Sequence, residues 1–172
     1  MIPEWSRRER VATIGEQARA VEISADDTER AALAHRFGLV AIARLEARFE
    51  VRREGGAIVA SGRVSADVTQ ACSITDEPLE VAVDEPVTLR FVEDVEQEEE
   101  VELSEEALDT MAIEDGGIDL GEAAAETMAL ALDPFPRSPA AAAALREAGV
   151  ISEEEVTPFN AFAALKGKLG GS

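Results

Sequence analysis

The chain is poor in the residues that build most metal and disulfide centres. Its 172 residues include one cysteine, one histidine, one tryptophan and no tyrosine. A structural zinc site uses about four cysteine or histidine ligands, and an internal disulfide needs two cysteines. We therefore expect no metal, no cofactor and no disulfide.

Candidate catalytic groups are equally scarce. Cys72 and His35 are the only side chains that could form a thiolate–imidazole pair. Cys72 continues the apolar phase of a predicted strand, where a cysteine is usually a small buried hydrophobic residue. Serine hydrolase, phosphate-loop and dinucleotide motifs are absent. These features favour a binding protein over an enzyme, since an enzyme using Cys72 would need a thiol that reagents can reach.

Long apolar segments are also missing. No run approaches the roughly 18 residues of a membrane-spanning helix, and the first ten residues lack the apolar core of a signal peptide. The sequence thus predicts a cytoplasmic protein with no membrane partner.

What the chain has in excess is negative charge, and that charge is unevenly placed. The formal net charge is −20, yet residues 1–63 hold eleven basic and ten acidic side chains, whereas residues 64–172 hold five and 26. Such a surface repels phosphate backbones and attracts basic proteins, although high charge can also serve solubility alone. Direct RNA binding would depend on the arginines of the first third: Arg7, Arg8, Arg10, Arg44, Arg48, Arg52 and Arg53.

One segment concentrates this acidity. Twelve of the 23 residues in 93–115 are Asp or Glu, including Glu98, Glu99 and Glu100. Like-charge repulsion predicts a solvated, flexible segment, and the spacing of a calcium loop is absent. It is either a linker between sheet and helix or a polyanion mimic that binds a basic partner.

A charged–apolar alternation begins at Arg44 and predicts a half-buried strand. Gly55 and Gly56 supply a turn, and a second alternating run over 58–68 completes a β-hairpin. Because alternate residues share a face, Arg44, Arg48 and Arg52 are expected together on the solvent side. They are the candidates for RNA contact.

Flanking segments complete the domain. A weak strand over 19–23 precedes a helix over 24–38, which Ser24 or Asp26 caps and Gly38 ends. A third strand runs from 79 to 91, with Pro86 favouring an edge position or a bulge. A second helix begins at Asp119, with Glu122 completing a capping box, and continues to about residue 132.

The expected fold class is α+β: a twisted antiparallel β-sheet of about four to six strands, a few packing helices and an acidic flexible segment. Residues 1–137 form one domain that includes the acidic loop 93–117. Residues 138–172 form an Ala-rich linker, or short helix, and an amphipathic C-terminal tail. The tail either folds back on the core or docks on a partner.

The most distinctive motif joins the second and third long strands. Residues 70–79 read Gln-Ala-Cys-Ser-Ile-Thr-Asp-Glu-Pro-Leu, and Gln70, Cys72 and Pro78 are predicted to shape this turn. The motif resembles that of the YceD family, the large ribosomal RNA subunit accumulation proteins, in a form like that of alphaproteobacteria. Four further segments also resemble that family: residues 26–39, 118–122, 130–137 and 158–165.

The resemblance implies a non-enzymatic ribosome biogenesis factor that supports accumulation of large-subunit ribosomal RNA. Its expected partners are that RNA or its precursor and a basic ribosomal protein. The alternative is an acidic chaperone for a basic ribosomal protein that never contacts RNA. Many relatives carry a second cysteine three positions after the first; here Thr75 stands there, so no metal or redox role is expected.

Overall fold

A five-stranded sheet forms the centre of the structure, a computed structural model that describes residues 2–93 and 109–150. The strands are β1 (Arg8–Arg10), β2 (Arg19–Ser24), β3 (Ala41–Glu54), β4 (Ala57–Ala71), β5 (Pro78–Val92), β6 (Asp109–Ala112) and β7 (Gly117–Asp119). The helices are α1 (Asp27–Phe37), α2 (Leu120–Ala131) and α3 (Ala141–Glu147), with a 3-10 turn at Val11–Thr13. The sheet has the order β2-β3-β4-β5-β6, and β1 pairs with β7 in a separate ribbon. The predicted α+β class is confirmed.

The predicted hairpin is confirmed as β3 and β4, which pair antiparallel from the Gly55–Gly56 turn outward. Alternation divides the sheet into an inner face, which carries most of the buried side chains, and an outer face that is exposed except at the hairpin end, where Ala57 and Val59 are buried. Gly62 lies opposite Phe49 on the inner face, and a Cβ at position 62 would collide with the carbonyl oxygen of Arg48. Glycine therefore allows β3 and β4 to approach closely beneath the ring of Phe49.

Both long helices cover the inner face, α1 against β3 and α2 against β4 and β5. The predicted caps of α1 are confirmed: Asp26 and Glu29 form a capping box, and Gly38 takes the left-handed conformation at φ 65°. At α2, the Asp119 carboxylate accepts from the amides of Gly121 and Glu122. The Glu122 carboxylate binds Arg36 instead of closing a capping box, so that part of the prediction is corrected.

The end of the predicted flexible segment is also corrected. Residues 109–112 form β6, which pairs in parallel with the last four residues of β5. Met111 and Ile113 pack against the core, and their burial outweighs the local charge repulsion. Pro86 lies where β5 has no second partner strand among the described residues, which agrees with the edge position that its missing N–H predicts.

An amino-terminal segment, residues 4–15, packs against the core and is called the belt below. It contributes Trp5 and Ile14 to the buried cluster. Trp5 is fully buried, and Gly121 in the first turn of α2 leaves room for the Trp5 carbonyl oxygen. The Asp119 carboxylate accepts from the Ser6 hydroxyl at 2.5 Å and from the Arg7 amide at 2.8 Å. These contacts join the belt to the beginning of α2, and no local sequence pattern predicts them.

Beyond α2, the predicted Ala-rich linker contains α3, and two of its residues, Ser138 and Ala141, are buried. The division into a domain and a tail after residue 137 stays a prediction, and residues 151–172 lie outside the described part. No helix within the described ranges is long and apolar enough to span a bilayer.

Candidate nucleic-acid interface

The outer face of the sheet carries the three arginines that the alternation singled out. Arg44, Arg48 and Arg52 occupy alternate outward positions of β3, so they do lie on one face. On β4 the outward position directly opposite Arg48 is Arg63. The structure thus brings a fourth arginine to the three predicted ones.

Each of these arginines is held by a carboxylate on the same face. Arg44 binds Asp67 at 2.9 Å and Glu46 at 3.1 Å, and these hydrogen bonds raise its pKa against a small cost of burial. Arg52 binds Glu54 at 2.7 Å. The outer face is therefore not a bare basic patch, because carboxylates outnumber arginines at its outward positions.

The two arginines in the middle of this face are the most exposed of the four. The Arg48 guanidinium lies 3.5 Å from the Glu22 carboxylate, and the two side chains are 70% and 71% exposed. Arg63 binds Asp84 at 2.9 Å and is 54% exposed. Exposed pairs of this kind contribute about 0–1 kcal/mol, so their arginines can exchange a carboxylate for another anion at little cost.

An open groove of about 540 Å³ lies over this middle region. It follows the surface across β2, β3 and β4. Its polar lining consists of Glu22, Ser24, Glu46, Arg48, Arg63 and Ser65.

The predicted shaped turn is a clasp between the sheet and the loop after α2. The Ser138 amide donates to the Cys72 sulfur at 3.2 Å, and the Thr75 and Ser138 hydroxyls lie 3.3 Å apart. The side-chain amide of Gln70 donates to the Asp133 carbonyl at 3.0 Å. Pro78 begins β5. All three predicted residues thus lie at one end of the sheet.

The Cys72 thiol is fully covered, although it lies under a thin layer close to the surface. Burial opposes the thiolate, but hydrogen bonds from Ser138, Thr75 and the Ile74 amide prevail and lower the pKa of Cys72 to about 6. A thiol that substrates and reagents cannot reach does not meet the requirement for a nucleophile. The lowered pKa therefore reflects the hydrogen bonds of the clasp.

Two arginines from the first third have a different place. Arg7 binds the Glu29 carboxylate through both terminal nitrogens, at 2.7 and 2.9 Å. Arg53 donates to the carbonyls of Val11 and Ile14. Both thus fasten the amino-terminal belt, and an RNA contact by either of them stays a prediction. The acidic candidates Glu98, Glu99 and Glu100 lie outside the described residues.

Comparison with family models supplies an independent finding. Residues 60–167 match the family described as Large ribosomal RNA subunit accumulation protein YceD. The chain belongs to the YceD family. No curated protein and no solved structure matches it.

The YceD match begins inside β4 and includes Arg63, Gln70, Cys72 and Pro78, whereas β2 and β3 precede it. The groove is therefore built from strands on both sides of that boundary. Within the two described ranges, no three Cys, His, Asp or Glu side chains are grouped to hold a metal ion. At the clasp, the position three after Cys72 carries the Thr75 hydroxyl that meets Ser138.

Arg63 was not among the predicted contact residues, but the sequence contained a signal for it. Counting outward from the two-residue turn at Gly55–Gly56 places residue 57 opposite 54 and residue 63 opposite 48. Register follows from turn length in a hairpin, so the Arg48–Arg63 pair was open to prediction.

Proposed function

We propose that this member of the YceD family is a non-enzymatic, cytoplasmic ribosome biogenesis factor that supports accumulation of large-subunit ribosomal RNA. We propose further that it contacts this RNA, or its precursor, through the outer face of its sheet. The observation that carries the proposal is the common exposed face of Arg44, Arg48 and Arg52 in a chain of this family.

Arginine suits such a contact because its planar guanidinium binds phosphate oxygens in pairs. The carboxylates now bound to these arginines do not prevent it, since exposed ion pairs are weak and exchange readily. Elsewhere the strongly acidic surface repels RNA. That repulsion would orient a bound RNA onto this one face.

A second function is favoured by a different observation. Because each outer-face arginine already has a carboxylate and the chain has a net charge of −20, its long-range field attracts cations. As an acidic chaperone, the protein would bind a basic ribosomal protein, with Glu98, Glu99 and Glu100 as its contact residues and no direct RNA contact.

The deciding experiment is a pull-down of the tagged protein from its own cytoplasm at low salt, with and without ribonuclease. Direct RNA binding predicts that large-subunit precursor RNA co-purifies and that ribosomal proteins are lost after ribonuclease treatment. A single basic protein that survives ribonuclease would favour the chaperone. Absence of all ribosomal material would contradict both functions.

The face itself is tested by reversing Arg44, Arg48 and Arg52 to Glu. We expect RNA affinity to fall by at least about tenfold at 0.1 M salt, because several phosphate contacts are lost. The matched control reverses Arg19, Arg137 and Arg146, which are exposed and lie outside this face, with the same change in net charge. Equal losses in both triple variants would show only a general charge effect.

A further inference from the structure

We propose that Arg48 and Arg63 act together as a clamp for one phosphate group of a bound RNA backbone. The inference rests on the proposed function and makes it more specific, since it names the ligand group and adds a residue, Arg63, from outside the predicted set.

The first support is the register in which β3 and β4 pair. Arg48 and Arg63 are direct cross-strand partners on adjacent antiparallel strands, and both side chains leave the outer face. Side chains in such positions start about 5 Å apart at their Cβ atoms. Two guanidinium groups on stems this close can converge on a single anion.

The second support is the arrangement of charge along this row. Glu22 holds Arg48 from the β2 side, and Asp84 holds Arg63 from the β5 side. Among the ion pairs of the described residues, no carboxylate bridges the two arginines. Like charges directly opposite each other in a sheet are destabilising. An anion placed between the two guanidinium groups would relieve that repulsion.

The third support is the groove that contains both residues. It has room for a phosphodiester, and Ser24 and Ser65 also line it and can supply hydroxyl donors. A phosphate presents two unesterified oxygens, so each guanidinium can donate to both or to one of them. The Arg48–Glu22 contact of 3.5 Å is long enough that Arg48 gives up little by turning toward the ligand.

The test is a double-mutant cycle of RNA affinity over several salt concentrations, using a single-stranded fragment of large-subunit precursor RNA. The variants are Arg48→Gln, Arg63→Gln and both together. Arg19→Gln is the matched control, because it removes the same charge from an exposed arginine paired with Glu9. All sites are at the surface, and the circular dichroism spectrum verifies folding.

A shared phosphate predicts a specific pattern. Each single change should weaken binding about tenfold and lower the salt slope by about one, and the double change should weaken it little more than either single change. The control should stay within about twofold of the wild type. If only Arg48→Gln weakens binding, the clamp is wrong while the RNA-contact proposal stands.

A second measurement separates the clamp from the proposed function. Inorganic phosphate is titrated into the wild-type protein while the arginine Nε–H signals are followed by NMR. The clamp predicts shifts at Arg48 and Arg63 but not at Arg19, and in each single variant it predicts that the remaining arginine of the pair no longer shifts. Unmoved signals at Arg48 and Arg63 would overturn it. A glutamate-rich peptide that shifts them at lower concentration than phosphate would overturn it in favour of a carboxylate site.

Discussion

The arginines of this protein include two sets that differ in exposure and in how they bind carboxylates. The belt set, Arg7 and Arg36, fastens the amino-terminal belt to α1 and α2; both side chains are partly buried, and each binds a glutamate through two nitrogens, as Arg36 does with Glu122 at 2.7 and 3.0 Å. Those of the outer face, Arg44, Arg48, Arg52 and Arg63, are 41–70% exposed and contact each carboxylate through a single nitrogen. The comparison teaches that burial and geometry, not residue type, decide whether an arginine stabilises the fold or stays available to a ligand.

The ion pairs of the belt set involve the first turn of α1, the last turn of α1 and the first turn of α2. Arg7 lies over the Trp5 ring and binds Glu29 in the first turn of α1. Arg36 lies in the last turn of α1 and joins Glu4 of the belt to Glu122 of α2. These links hold three separate parts of the chain against one another. Changes in the belt should therefore affect stability most.

The largest effect is expected from Gly121→Ala. The new Cβ would meet the Trp5 carbonyl oxygen and the Arg7 amide, and backbone atoms have little freedom to move away. We expect the belt to shift and the free energy of unfolding to fall by about 3 kcal/mol. The only tryptophan reports both changes in a urea titration, because emission moves to the red when Trp5 becomes exposed. Gly56→Ala is the control, since open space surrounds that position, and an equal loss there would contradict the argument.

The second-largest loss of stability is expected from Arg36→Gln. Its guanidinium is 25% exposed and bonds to two carboxylates, and these hydrogen bonds raise its pKa against the effect of burial. Removing the charge leaves Glu4 and Glu122 without their partner. We expect a loss of about 2 kcal/mol in the free energy of unfolding, measured by urea at neutral pH. A loss below about 0.5 kcal/mol would place Arg36 with the outer-face set.

A smaller effect should appear as a dependence on pH. Hydrogen bonds from Arg7 lower the pKa of Glu29 below its ordinary value of 4.5, although burial opposes the shift. A lowered folded-state pKa gives stability that is complete above about pH 4.5 and is lost as pH falls through the folded value. Arg7→Gln should therefore be less stable by about 1 kcal/mol at pH 6, and the gap should narrow as the pH falls below about 4.5 and through the lowered folded-state pKa of Glu29. A gap that stays constant with pH would exclude this pair as its source.

The smallest effect is expected from Arg48→Gln on the outer face. Its pair with Glu22 is long and exposed, so the free energy of unfolding should change by less than about 0.5 kcal/mol. The measurement is the same urea titration used for Arg36→Gln, with which it forms a matched pair. A loss near 2 kcal/mol would break the division between the two sets of arginines.

Local patterns predicted the parts of the fold that local physics determines. The alternation of β3 and β4, the turn at Gly55–Gly56 and the caps at Asp26 and Gly38 all depend on residues a few positions apart. The same alternation placed Arg44, Arg48 and Arg52 on one face. The turn count also places Asp67 opposite Arg44, so that ion pair was open to prediction, whereas the Arg48–Glu22 pair depends on the register of β2, which no short turn fixes.

Other parts depend on contacts between distant segments. β6 is short and lies within an acidic segment, and only pairing with the end of β5 makes it a strand. The clasp joins Cys72 to Ser138, and the belt joins Ser6 to Asp119, at separations of 66 and 113 residues. Nothing in the composition of either segment signals its distant partner. Such contacts appear only when the whole chain has folded.

The belt has a further consequence for the order of events during synthesis. Trp5 leaves the ribosome well before the Asp119 carboxylate and Gly121 that receive its segment, which are made more than a hundred residues later. Until then the indole has no native site to occupy. During that interval the nascent chain carries an apolar residue without its native contacts, and the domain completes its core in a late step that joins the belt to α2.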